Sequence, residues 1–355
     1  MTTPKFASVT QSFHSELKKR INSYFQETGK SVTGNVQLYF KAIVLFLSFI
    51  GLYVHLVFFT PTTIFAIIEC ALLGCVTAGV GFNIMHDGAH GSFSKYKWLN
   101  KMAAISLNLL GGSHFMWNMK HNVIHHAYTN IDGLDDDIDI KPWLRMSTTQ
   151  PKYLMHRYQH IYFWFLYALL YILWIFVLDY QKYFKRKIGS MPLKRMTFSD
   201  HAIFWGFKIF YIAMFIVIPI YTVGFVSWII GFLSYTIVGG LVISIVFQLA
   251  HTVEHTSFPM PDEATGKLED EWAIHQLKTT ANFAPRNKMI NWFVGGLNFQ
   301  VEHHLFPKIS HIHYPAINKI IKQACSEFNV PYIEYRRMRH AVASHVSFLR
   351  QMGRA

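Results

Sequence analysis

The sequence predicts an all-α integral membrane protein. Four transmembrane helices, with interfacial or re-entrant helices beside them, are expected to carry a cytosolic His-rich helical domain. Three observations lead there. Of 355 residues, 52% are hydrophobic and only 15% charged, against about 25% charged in soluble domains. The apolar residues fall in long, nearly uncharged runs. The chain also holds 20 His, many clustered beside those runs. Such a composition excludes a disordered chain. Three Cys, two of them (Cys70 and Cys75) inside an apolar run, are too few for a disulfide scaffold or a four-thiolate iron–sulfur cluster.

Residues 1–40 are polar and mixed in charge and lack the apolar core of a signal peptide; they are read as a cytosolic N-terminal segment. Residues 42–59 contain no charged side chain, and as a helix they span about 27 Å, close to a hydrocarbon core of about 30 Å. Thr60-Pro61 breaks the run. Residues 62–85 follow with one charge, Glu69, which is costly in a membrane unless paired. Further runs cover 161–178, 202–221 (with Lys208) and 223–250, and a weaker one, 102–117, contains Gly111-Gly112. The membrane domain is expected over 41–335, with 336–355 a cytosolic tail.

Five strong runs would place residues after 250 and residues 86–160 on opposite faces, yet both segments carry His clusters that must meet. One run should therefore not cross. Segments 91–160 and 179–201 hold eight and six Lys/Arg and both look cytoplasmic. The run between them, 161–178, is rich in Trp and Tyr and is expected to lie at the interface. The spans are then 42–59, 62–85, 202–221 and 223–250, with both termini cytoplasmic. The net charge of +13 fits such loops. No basic patch is interleaved with base-stacking aromatics, so no nucleic acid partner is expected.

The clusters are His86-Asp-Gly-Ala-His90, His121-Asn-Val-Ile-His125-His126, His251-Thr-Val-Glu-His255 and Gln300-Val-Glu-His303-His304. On a helix, residues i and i+4 share a face, so His86/His90, His121/His125 and His251/His255 can each present two imidazoles to one side. Adjacent pairs diverge by about 100° and can serve two ions. Neutral imidazole suits iron, copper, zinc and nickel, and eight or nine such ligands suit two ions better than one. The remaining His (14, 55, 114, 156, 160, 201, 275, 311, 313, 340 and 345) are read as structural or solvated. Asp87, Glu254, Glu302 and the run Asp132, Asp135, Asp136, Asp137, Asp139 can orient ligating imidazoles; the Asp run reads equally well as a solvated loop. Gly74, Gly79, Gly81, Gly239 and Gly240 either permit close helix packing or make room for an acyl tunnel.

Together HDGAH, HNVIHH and QVEHH resemble the three histidine boxes of membrane fatty-acid desaturases. The leading Gln of the third resembles the front-end branch, which includes delta-5 and delta-6 enzymes. Flanking TNIDGLDDDIDI and GGLNFQVEHHLFPKISHIHYPAI agree, and the resemblance runs from about residue 40 to 335. It implies a non-haem centre of two iron ions held by His86, His90, His121, His125, His126, His303 and His304. His251 matches the family's extra His at the end of the last membrane helix. Gln300 stands where related enzymes carry His, and it either ligates, ligates through water or orients a neighbour. His255 is either a ligand or a partner of one. The implied reaction inserts a cis double bond into a fatty-acyl chain, carried on coenzyme A or a membrane lipid, with dioxygen as co-substrate. No His-Pro-Gly-Gly haem motif occurs, so a separate electron donor, a ferredoxin or a cytochrome-b-type protein with its reductase, is expected. A bacterial inner membrane is the expected location.

Three rivals are open at this stage. A membrane di-iron hydroxylase or ketolase uses similar boxes. His251-Thr-Val-Glu-His255 matches an inverted zinc-protease motif, although that leaves seven clustered His unused. A transporter would hold its site near the bilayer midplane, whereas these His lie at helix ends.

Overall fold

In the computed structural model, residues 3–8 and 12–355 are described. Helix α1 covers Phe13–Thr28. Two long apolar helices follow, α2 (Val36–Phe59) and α3 (Thr63–His90), then α4 (Lys97–Leu109) and the helical stretch α5 (114–128). Three more long apolar helices come next: α6 (Leu154–Lys185), α7 (Phe198–Val223) and α8 (Phe225–His251). The rest is short: α9 (Trp272–Thr279), α10 (Lys288–Phe293), α11 (Gln300–Leu305), α12 (Tyr314–Glu327) and α13 (Met338–Met352). Strand structure among the described residues is confined to two pairs of two-residue strands. The chain is a multi-pass, all-α membrane protein, and among the described residues five helices are long and apolar enough to cross.

Local chemistry sets the ends of these helices. Asn35 caps α2 by accepting from the Leu38 N–H, and Thr197 with Asp200 forms a capping box at the start of α7. At the far end, Thr60 and Gly224 adopt positive φ and turn the chain between α2 and α3 and between α7 and α8. The buried-charge question at Glu69 is answered there too, since His55 Nδ1 lies 2.7 Å from its carboxylate.

Helices α3 and α8 run parallel. Cys70 packs on Gly231 and Gly74 on the Tyr235 carbonyl, and Ala78 shares a buried cluster with Val246 and Leu249. A methyl at Gly74 would collide with that carbonyl, and one at Gly240 would lie 2.6 Å from the Ala168 carbonyl of α6. These two glycines therefore serve close helix packing. Because α3 and α8 point the same way, His86, His90 and His251 arrive at one end of the bundle.

Helix α6 behaves differently from the other four. Its start touches loop 132–143, where His156 Nε2 donates to the Pro142 carbonyl and the Tyr162 hydroxyl to that of Trp143. Its other end returns to the same loop, with Lys182 2.7 Å from Asp136. One turn before that end, Lys208 of α7 and Asp179 of α6 form a buried pair at 2.9 Å, and Lys208 also donates to the carbonyls of Gly111 and Ile175.

The expected borders at residues 40 and 335 do not coincide with breaks in packing. Helix α1 buries Phe13 and Leu17 against α9, α11 and α12. Helix α13 docks Phe348 and Leu349 on α6. The terminal segments are parts of the layer that covers the histidine end.

Candidate metal centre

Two of the four clusters sit beside a wider, π-helical turn, a local expansion that recurs at functional sites. Residues 81–85 form one just before His86, and 119–125 form another containing His121 and His125. The His121 and His125 rings face each other at 5.3 Å with only 22° between their planes. His86 and His90 lie 4.8 Å apart on the last turn of α3. Helix α11 brings in His303 and His304, whose rings diverge by 88°.

These helices assemble two groups of buried imidazoles. In the first, one nitrogen from each of His86, His90, His121 and His303 lies within 4.8 Å of all the others. In the second the same holds for His125, His251 and His304. His126 sits between them, its ring 4.6 Å from His303 and 4.4 Å from His304. The Nε2 atoms of His86 and His126 each lie 3.2 Å from His121 Nε2. The Nε2 atoms of His90, His125, His251, His303 and His304 are buried without a hydrogen-bond partner among the described residues. Unsatisfied buried polar atoms are rare and costly. So many converging on one volume are explained by a cation between them.

On four of these rings the opposite edge is satisfied, as oriented metal ligands require. His125 Nδ1 lies 3.0 Å from Asp135 and 3.5 Å from Asp137. His251 Nδ1 donates to the Thr279 carbonyl at 3.2 Å, His304 Nδ1 to Gln276 Oε1 at 2.8 Å, and His303 Nδ1 lies 3.1 Å from the Tyr314 hydroxyl. Each contact turns an Nε2 lone pair inward. Trp117 stacks on His121 at 4.3 Å. Burial, reinforced by neighbouring imidazoles, holds His121, His126, His303 and His304 well below the usual histidine pKa. They are neutral at pH 7 and free to bind metal. Burial also pushes His125 down, but Asp135 and Asp137 overcome it and raise its pKa. A donor set of buried imidazoles fits a pair of first-row transition ions.

Other candidate residues go elsewhere. Helix α8 ends at His251, and His255 has φ 76° and is exposed, so the expected His251/His255 pair does not form. Glu254 accepts from Ser347 and Gln351 of α13. This dismantles the zinc-protease reading. Glu302 faces away from the centre and accepts from Asn282, Asn318 and Tyr332; burial raises its pKa despite these donors. Asp87 accepts from Ser310 at 2.7 Å and lies 3.0 Å from His311 Nδ1, tying α3 to residues 310–311. Gln300 is buried on the His-bearing helix, its Oε1 without a partner. Of the Asp run, Asp135 and Asp137 reach His125; Asp132 and Asp139 pair with Lys141, and Asp136 with Lys182 and Lys120. Sequence reasoning missed Gln276, Tyr314 and the Thr279 carbonyl, which carry no spacing signal.

The sequence profile of the fatty acid desaturase family matches residues 61–336. The chain belongs to the fatty acid desaturase family. It is 39% identical over 342 residues to the sn-1 linoleoyl-lipid 6-desaturase of Arthrospira platensis, covering 96% of this chain and 92% of the relative. It is 37% identical to the acyl-lipid (8-3)-desaturase of Physcomitrium patens, covering 97% and 72%. With the sn-1 linoleoyl-lipid 6-desaturase of Synechocystis sp. it shares 35% over 97% and 96%. This desaturase is thus an oxidoreductase of lipid metabolism acting on fatty-acyl chains. The hydroxylase alternative is not favoured, because these relatives are named for desaturation.

Proposed function

We propose that this desaturase inserts a cis double bond into an acyl chain while that chain is esterified to a membrane lipid. The observation that supports it most directly is the pair of buried imidazole groups at the shared end of two parallel membrane helices. The lipid-linked carrier rests on relatives that align over nearly the whole chain and are named for lipid-linked acyl substrates.

Two iron ions are the proposed occupants. His86, His90, His121 and His303 hold one, His125, His251 and His304 the other, with His126 between them and Gln300 beside them. When bound, the irons supply the dioxygen-derived oxidant that an unactivated C–H bond demands. The chain's own residues do the rest. Asp135, Gln276, Tyr314 and the Thr279 carbonyl fix ring tautomers, and the surrounding helices keep water out. The reaction balances as follows: two hydrogens leave adjacent acyl carbons as two protons and two electrons, and dioxygen takes these together with two electrons from a donor protein and two further protons, becoming two waters.

In this reading four helices cross (α2, α3, α7 and α8), α6 lies along the interface, and both termini stay with the histidine layer on the cytoplasmic side. The Lys/Arg-rich segments 91–160 and 179–201 support that orientation. A bacterial inner membrane is the proposed location, and a ferredoxin or cytochrome-b-type protein the proposed donor.

The test is expression in a host supplied with defined fatty acids, followed by gas chromatography of separated lipid-linked and coenzyme-A-linked acyl pools. New unsaturation appearing first in the lipid pool is expected. First appearance in the coenzyme A pool would overturn the carrier. His303→Ala and His125→Ala should abolish the product while the protein remains in the membrane, and His313→Ala, which packs on Phe25, should be milder.

A further inference from the structure

A second polar feature lies outside the histidine centre, near the start of α2. Lys41 is only 8% exposed. Its Nζ lies 3.5 Å from His311 Nε2 and 5.1 Å from the centroid of the Trp292 ring. An ammonium has three N–H donors, and the described residues give this one a single acceptor, the His311 ring. The Asp87 carboxylate lies beyond that imidazole, 3.0 Å from His311 Nδ1. A buried cation is costly unless an anion compensates it.

Lys41 lines a groove of about 610 Å³ together with Val36, Gln37, Phe40, Val44 and Trp292. Its surroundings are cationic. No Asp or Glu occurs from Lys30 to Ile68 or from Ala284 to Val301, while Arg286 and Lys288 precede Trp292 by six and four residues. They are also apolar: Val36 and Phe40 are strongly exposed, and Ile43 and Leu47 continue that exposed stripe down α2. Lys41 sits within two turns of the helix start, the depth at which Trp and Lys meet lipid headgroups.

We propose that this groove binds one anionic phospholipid, its phosphate on Lys41 and an acyl chain along Val36, Phe40 and Val44. The charge complementarity selects an anionic headgroup, and the continuous apolar stripe selects a lipid over a soluble phosphate. Because His311 joins Lys41 to Asp87, which sits between His86 and His90 in the chain, the bound lipid also braces the histidine end of α3.

The test is thermal unfolding of the full chain in neutral detergent, titrated with dioleoyl phosphatidylglycerol, dioleoyl phosphatidylcholine or glycerol phosphate. A ligand specific for the folded state raises Tm with concentration. Phosphatidylglycerol should raise Tm by several degrees more than phosphatidylcholine, and glycerol phosphate should do nothing. Lys41→Gln should lose that difference. Gln37→Trp, which fills the groove from an exposed position and leaves Lys41 in place, should lose it too with an unchanged lipid-free Tm, and it decides the matter if Lys41→Gln does not fold. Equal shifts from the two lipids, an equal shift from glycerol phosphate, or a full phosphatidylglycerol effect in Gln37→Trp would overturn the proposal.

Discussion

Asp135→Asn probes how the protein, rather than the metal, shapes the centre. The Asp135 carboxylate is buried and accepts three N–H groups: His125 Nδ1 at 3.0 Å, the Asn130 amide at 2.9 Å and the Asp137 amide at 3.1 Å. Asn keeps the shape but replaces one oxygen with a donor. Its best orientation sets that NH₂ against the Asp137 amide and leaves His125 a neutral acceptor in place of a charged one. A hydrogen bond to a charged group contributes about 1.5–3 kcal/mol and a neutral one about 0.5–1.5, so the loss on the His125 side is roughly 1–2 kcal/mol. At about 1.4 kcal/mol per factor of ten, metal affinity in the His125–His251–His304 group should fall roughly 5- to 30-fold. The assay is iron retained after equilibrium with graded chelator. The variant should release one of its two irons at lower chelator concentration and keep the other. Asp139→Asn, on the same loop but paired with Lys141, should behave as wild type. Wild-type retention by Asp135→Asn, or equal damage from Asp139→Asn, would refute the reasoning.

Further outcomes follow from the same geometry. His255→Ala should leave iron content and product formation unchanged, measured on the purified variant. Gly240→Leu overpacks the α6–α8 contact and should cost about 1–3 kcal/mol, read as a lowered Tm. Burial holds His345 down to about 4, with its ring between the Tyr167 hydroxyl and the Thr252 carbonyl. The unfolded chain therefore binds the extra proton between pH 6.5 and 4, and stability falls as pH drops through that window, by up to about 1.4 kcal/mol per unit. His345→Gln should show a shallower decline of Tm with acidification; an unchanged slope counts against this assignment.

Much of this molecule is legible in its sequence because the bilayer and the metal both impose strong local patterns. Uncharged runs announce long helices, and repeated His at helical spacing announces ligands. For the third run, parity and charge argue an interfacial position, while its length and hydropathy match those of the other four long helices. The failures are physical too. The i,i+4 rule holds for His86/His90 because α3 continues through both, and breaks at His255 because α8 stops at His251. Gln276 and Tyr314 reach His304 and His303 from other helices, through tertiary packing that no periodicity records. Helices α1 and α13 read as polar tails because each buries only one narrow face.

Two imidazole groups arranged in this way should hold two ions of one kind. The direct measurement is metal content of the purified chain after anaerobic reconstitution with ferrous iron and removal of excess. Two irons per chain, falling to one or fewer in His303→Ala and in His304→Ala, is the predicted result. A single ion per wild-type chain, or retention of both irons in those variants, would contradict it.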